Sequence, residues 1–139
     1  MATTETRNQQ VAREITDAIV AAYEEGAFDA LKRSLTPDFV CHPGGGARLD
    51  TEAYLARIEA TREAFPDFRK DVESLLVDGD EVAVHYRWGG THEGEFAGVE
   101  ATGEEVEVTS LTLMRLDDGK LAELFIYGDS ASLMDQLNG

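Results

Sequence analysis

Positive charge is scarce in this chain: three lysines (Lys32, Lys70, Lys120) and nine arginines stand against 28 acidic side chains among 139 residues, a formal charge of −16. Neutralising phosphates takes clustered Lys and Arg, whereas here the basic residues occur singly or in pairs among acids. Nucleic acid and anionic membrane surfaces are therefore not expected as partners. Cysteine is nearly missing as well. The single Cys41 forbids an internal disulfide or a zinc cluster built on cysteine. Long apolar runs are absent: the longest spans only Ala18 to Tyr23, where a membrane crossing needs about 20 residues. The polar start Met1-Ala-Thr-Thr-Glu5 has neither a basic nor an apolar leader segment. The expectation is a cytoplasmic protein.

What is present is enough apolar material for a core. At 42% hydrophobic the chain is too apolar for a disordered acidic tail, and a domain of this length buries roughly 70% of its unfolded surface. One domain over 7–139 is expected, behind a flexible N-terminal segment 1–6. So much charge of one sign repels itself until salt screens it. Few lysines, many acids and an ordinary core resemble the proteins of extreme halophiles, the alternative being an acidic mesophilic protein.

Val11, Ile15, Ala18, Ile19, Ala22 and Tyr23 recur at three- and four-residue steps, which predicts a long amphipathic helix from about Arg7 to Glu25, stopped by Gly26. Phe28, Leu31 and Leu35 fit a second, short helix ended by Thr36-Pro37, and Phe39-Val-Cys41 a short extended piece. A loop His42-Pro-Gly-Gly-Gly46 leads to Asp50 or Thr51 as N-cap of a third helix, ended at Phe65-Pro66. Beyond Pro66 the period changes to two. Strands near 68–77, 81–88, 106–116 and 121–127 are predicted, all antiparallel, with turns at Asp78-Gly-Asp80 and Asp117-Asp-Gly119 and a glycine-rich excursion between Gly89 and Gly103. Ser130 to Leu137 closes as a short helix. This order defines an α+β class, a curved antiparallel sheet covered by three N-terminal helices.

Ala64-Phe-Pro-Asp67, Gly79-Asp-x-Val82, Gly90-Thr-His-x-Gly-Glu-Phe-x-Gly98, Ala101-Thr-Gly103, Asp118-Gly-Lys-Leu-x-Glu123 and Asp129-x-x-x-Leu133-x-x-Gln-Leu137 follow one another in an order that resembles the SnoaL-like polyketide cyclases, within the nuclear transport factor 2-like superfamily. The resemblance covers nearly the whole chain. It implies a cone-shaped α+β barrel with an apolar pocket at its open end, usually in a homodimer, and functions ranging from cofactor-free cyclisation or isomerisation to binding alone. It also implies a histidine in the second-last strand and an aspartate in the last, the aspartate handling the proton next to a ketone. Counted from Asp118-Gly-Lys120, those positions are Thr112 and Ile126, neither of which moves a proton.

The catalytic candidates are therefore displaced. His85 shares one strand face with Arg87, opposite Val84, Tyr86 and Trp88; facing inward it would be a general base, with Tyr86 or Thr112 as hydrogen-bond partner, and facing outward a surface or interface residue. Asp129 is either an N-cap for the last helix or the one carboxylate near the cyclase base position. His92 either braces the glycine-rich excursion or touches ligand at the rim, and His42 borders the pocket mouth. Tyr23, Tyr54, Tyr86, Trp88, Thr112, Met114 and Ile126 complete the expected ligand-binding set, and Phe65 and Phe125 add aromatic surface that periodicity cannot divide between core and pocket wall. The glycine run 44–46 lacks the residues of a phosphate cradle. His42, His85, His92 and Cys41 lack the close spacing of a metal site. The partner expected is a small hydrophobic molecule, polyketide- or steroid-like, held without a metal or other cofactor. The alternative is a ligand-binding or dimerisation module without chemistry.

Overall fold

A computed structural model describes residues 4–138. The elements run α1 (Thr4–Glu25), α2 (Asp29–Ser34), β1 (Leu35–His42), α3 (Thr51–Ala64), β2 (Arg69–Asp78), β3 (Glu81–Thr91), β4 (Glu105–Asp117), β5 (Lys120–Gly128) and α4 (Ser130–Leu137). Residues 4–6, expected in a flexible segment, open α1; residues 1–3 of that segment lie outside the described residues.

The helix signals act as their chemistry requires. Ala12, Ile15, Ala18, Ile19, Ala22 and Tyr23 are the buried stripe of α1, and Gly26 ends the helix at φ +70°, its N–H donating to the Ala22 carbonyl at 3.1 Å. Asp50 caps α3 by accepting from the Ala53 N–H at 2.9 Å. In the β4–β5 turn, Asp118 and Gly119 both have positive φ, the pattern of a type I′ hairpin.

The five strands form one sheet in the order β1-β5-β4-β3-β2. β2 to β5 make an antiparallel meander, as the alternation predicts. β1 departs from the expectation twice: it is a full strand rather than a three-residue piece, and it pairs parallel to β5. Thr36-Pro37-Asp38 fall in the gap between the Leu35↔Leu121 and Val40↔Glu123 pairs, where the register shifts. Proline has no N–H to give a ladder and is tolerated at a sheet edge or irregularity, so Thr36-Pro37 ends α2 without ending the ordered chain.

Alternation along β3 decides which side is inside. Val82, Val84 and Tyr86 are fully buried and face the helices. Ala83, His85 and Arg87 face the other, convex side, where Arg87 bonds Glu73 at 2.9 Å and Glu107 at 3.0 Å.

Candidate functional site

A cavity of about 270 Å³ opens between α1, α3, α4 and the concave face of the sheet. One wall is a run of aromatic rings: Tyr23 stacks on Phe68 with centroids 5.1 Å apart, and Phe68 on Trp88 at 5.2 Å. Phe65 supports Trp88 and Phe96 edge-on from behind. Phe96 and Ala97, from the excursion between β3 and β4, form a lip; Ile126, Asp129 and Leu133 bound the opposite side. An adjoining recess of about 20 Å³, room for a water-sized group, shares Tyr23, Lys70, Ser110 and Ile126 with the cavity and is closed by Tyr54, Tyr86 and Thr112.

Among the ionisable groups lining this space, with Arg57 and Asp129, is Lys70. Period-two alternation carries it inward from Phe68, and a backbone bond fixes its height: its N–H donates to the Glu24 carboxylate at the end of α1, at 2.8 Å. Its side chain is buried, with Nζ 4.2 Å from the centre of the Tyr86 ring and 4.6 Å from that of Tyr23. Among the described residues no carboxylate pairs with it. Burial, reinforced by the Arg57 guanidinium, pulls the Lys70 ammonium down to about 7 from an ordinary 10.5. The Tyr23 and Tyr86 ring faces, in turn, attract the cation.

Hydroxyls gather beside the amine. Tyr86 is fully buried, and its Oη and the Thr112 Oγ1 make no hydrogen bond of full geometry among the described residues, although the Thr112 and Thr16 hydroxyls lie near the phenol. Burial pushes the Tyr86 phenol well up, with the nearby Thr112 and Thr16 hydroxyls offsetting only part. The Tyr23 phenol is raised by burial and eased by Arg57. Burial likewise pushes the Cys41 thiol up to about 11, so it is an inert core group rather than a nucleophile.

Several sequence candidates fall elsewhere. His85 lies on the convex face, paired with Leu111 and away from the cavity, because the strand's apolar partners claim the inner positions; a role as pocket base is corrected. His42 also faces outward, stacked on Phe125 at 4.3 Å and bonded to Glu123 at 2.7 Å, so neither ring lines the mouth. His92 is fully buried, and its Nδ1 accepts the Thr102 N–H at 3.2 Å, bracing the glycine-rich excursion rather than meeting ligand. Met114 is core and touches neither space. Asp129 caps α4, its Oδ1 accepting the Ser132 N–H at 3.0 Å, and the residue is also part of the cavity lining. Thr112 and Ile126 are direct cross-strand partners, the first in the recess and the second bordering both spaces. Tyr23 and Trp88 line the main cavity, Tyr54 and Tyr86 the recess.

Lys70, Arg57, Ser110 and Phe68 were not among the expected site residues. The signal was available: Lys70 shares strand parity with Phe68, and Arg57 lies three residues after Tyr54 and four before Thr61 on the buried side of α3. Among the described residues no three of His, Cys, Asp and Glu gather as metal ligands, and no helix is long and apolar enough to cross a membrane.

This geometry defines a class: four helices and a five-stranded curved, unclosed sheet, the α+β arrangement of the nuclear transport factor 2-like proteins. The model of the SnoaL-like polyketide cyclases matches residues 13–137, and the chain belongs to that family. Among solved structures it is similar to a candidate SnoaL-like polyketide cyclase from Jannaschia sp. CCS1, at 27% identity over 100% of this chain and 96% of that one, TM-score 0.88. It is similar to IdmH, a candidate polyketide cyclase from Streptomyces antibioticus, at 30% identity over 94% and 99%, TM-score 0.81. AclR, a candidate hydroxylase from Streptomyces galilaeus, matches at 25% identity over 96% and 97%, TM-score 0.81. No curated protein matches the chain.

Proposed function

We propose that the chain is an enzyme that binds a small, largely apolar carbonyl compound of the polyketide type and moves a proton at the carbon next to the carbonyl, as a cofactor-free cyclase or isomerase. The observation that carries this reading is the composition of the cavity. An aromatic wall suits a planar apolar molecule, and a buried, unpaired Lys70 stands beside the unpartnered Tyr86 and Thr112 hydroxyls. A pocket used only for apolar binding has no need of a desolvated amine, which costs folding stability. Tyr86 and Thr112 would hold the carbonyl oxygen in the recess. The candidate polyketide cyclases and candidate hydroxylase among the structural relatives support reading the chain as an enzyme.

A second reading, a binding module without chemistry, is favoured by Thr112 and Ile126 at the positions where the resembled cyclases carry histidine and aspartate. The two readings separate with 2-acetylnaphthalene. Trp88 is the single tryptophan and lines the cavity, so its fluorescence reports occupancy. Saturable quenching together with protein-dependent exchange of the ketone's methyl hydrogens in D2O supports the enzyme. Quenching with exchange no faster than in buffer assigns the binding module, and no quenching overturns both.

A further inference from the structure

We infer that Lys70 is a nucleophilic amine that condenses with the carbonyl carbon of a ketone or aldehyde in the cavity and holds it as an imine. This rests on the reading of the cavity as a carbonyl-compound site, and adds a covalent step to it.

The geometry supports a nucleophile rather than a structural cation. A lysine kept for stability commonly faces water or a carboxylate; Lys70 is buried, and among the described residues no carboxylate pairs with its Nζ, which two ring faces contact instead. Its Nζ lies between the Tyr23 and Tyr86 rings, and the residue borders both the cavity and the recess. The charged and titratable groups around it are Tyr23 and Glu24 from α1, the Glu24 carboxylate being engaged by the Lys70 backbone N–H at 2.8 Å, Arg57 and Tyr54 from α3, and Tyr86 from β3, with Asp129 also lining the cavity. None is a carboxylate in contact with Nζ. Lys70 is therefore available as the free amine near neutral pH, the form that attacks carbonyls.

The step balances without an external oxidant or reductant. The nitrogen lone pair adds to the carbonyl carbon while the C=O π pair becomes an alkoxide, which takes a proton from the attacking nitrogen to give a carbinolamine. The hydroxyl then leaves as water with one further proton, and the C=N bond of a protonated imine forms; amine, carbonyl and one proton become iminium and one water. Tyr86 Oη and Thr112 Oγ1, unpartnered and in the recess that Lys70 borders, are the donors for the oxygen as it becomes an alkoxide. The iminium withdraws electrons from the neighbouring C–H, whose proton passes to a base; Asp129 is the carboxylate on the same cavity. Hydrolysis by one water returns the amine and carbonyl.

The test is reductive trapping with 2-naphthaldehyde and cyanoborohydride on the full chain, read by intact mass and peptide mapping, with Trp88 fluorescence followed in parallel. Lys32 and Lys120, both exposed, are internal controls. At pH 7 Lys70 is expected to trap on the order of a hundredfold faster than either, because a large share of it is the free amine whereas an ordinary solvated lysine is almost wholly protonated, less the weaker nucleophilicity of a less basic amine. Lys70→Arg, which keeps the charge, and Lys70→Met, which keeps the length, both lose the adduct while retaining the wild-type circular dichroism spectrum. Quenching of Trp88 with the label only on Lys32 and Lys120 overturns the imine and leaves the cavity reading standing. No quenching and no Lys70 adduct overturns both.

Discussion

At the residue scale, the recess stores unfavourable energy that function would recover. A buried hydroxyl without a partner costs about 1–3 kcal/mol, so Tyr86→Phe, which deletes the unpartnered Oη and keeps the ring, is expected to leave thermal stability unchanged or raise it by up to about 1 kcal/mol. The same change should weaken 2-acetylnaphthalene about threefold to tenfold, one neutral hydrogen bond's worth, and leave naphthalene binding unaltered. Equal losses for both compounds would show that the hydroxyl holds no carbonyl. Lys70 gives a pH signature. Its ammonium titrates at about 7 folded and near 10.5 unfolded, so between those values the unfolded chain binds a proton that the native state does not, and stability rises with pH. Below about 7 the native state carries the buried charge in full. Lys70→Met removes this dependence, so the variant should melt above wild type at pH 7 by several degrees, with the gap closing towards pH 10. A gap independent of pH would mean that Lys70 is charged and solvated in the native state. None of this was read from the sequence, because a lysine among acids reads as a solvated charge. Only the parity of Phe68 and Lys70 on one strand marks it as inward, and that parity needs the strand's sidedness, which the buried Val84 and Tyr86 supply.

At the scale of elements, the sites of tight backbone approach matter more than propensity. Gly89, near the end of β3, has no special φ. A Cβ there would lie 2.5 Å from the Val106 carbonyl oxygen, and backbone cannot swing aside as a side chain can. Gly89→Ala is expected to cost about 1–3 kcal/mol by overpacking, read as a lower melting temperature. Because Trp88 is its neighbour and lines the cavity, weaker quenching by 2-acetylnaphthalene should accompany the loss; a variant as stable as wild type would show that β3 and β4 separate freely here. Local signals made most elements legible. Ser130–Leu137 is the helix expected, since Asp129 supplies its cap, and the hairpin turns sit at the Asp-Gly signals, with Gly79 at positive φ in one and Asp118 and Gly119 in the other. β1 was half legible. Its pairing with β5 joins segments about 80 residues apart, and no periodicity within Leu35–His42 encodes whether a strand runs parallel or antiparallel to so distant a partner. The side of β3 on which His85 falls was undecidable for the same reason: alternation gives two faces, and only the helices packed above decide which is inside.

At the scale of the whole molecule, the charge and the convex face act against each other. Two adjacent cross-strand rows put apolar side chains outside: Leu76, Ala83, Leu113 and Phe125 in one, and His85, Leu111 and Tyr127 in the other. Leu76 is 69% exposed and Tyr127 59%, a patch of the kind that marks an interface. Two copies brought together there by a two-fold axis would present the same rows to each other, as the homodimer expected from the family resemblance would. Each copy carries −16, so the association works against a repulsion that reaches about 10 Å at 0.1 M salt and only about 3 Å at 1 M. The dimer should therefore form progressively between about 0.1 M and 1 M KCl, and the melting temperature should climb over the same range as self-repulsion within each copy is also screened. Light scattering coupled to gel filtration, with a melting curve at each salt, measures both. Leu111→Glu separates the two effects: placed in the centre of the patch, it should hold the protein monomeric at high salt while its melting temperature still rises. A wild type that stays monomeric in 1 M KCl (Debye length about 3 Å) would remove the convex face as a self-association surface. A melting temperature that does not move with salt would mean that the acidic surface is spread too thinly to strain the fold, the behaviour of an acidic mesophilic protein rather than a halophilic one.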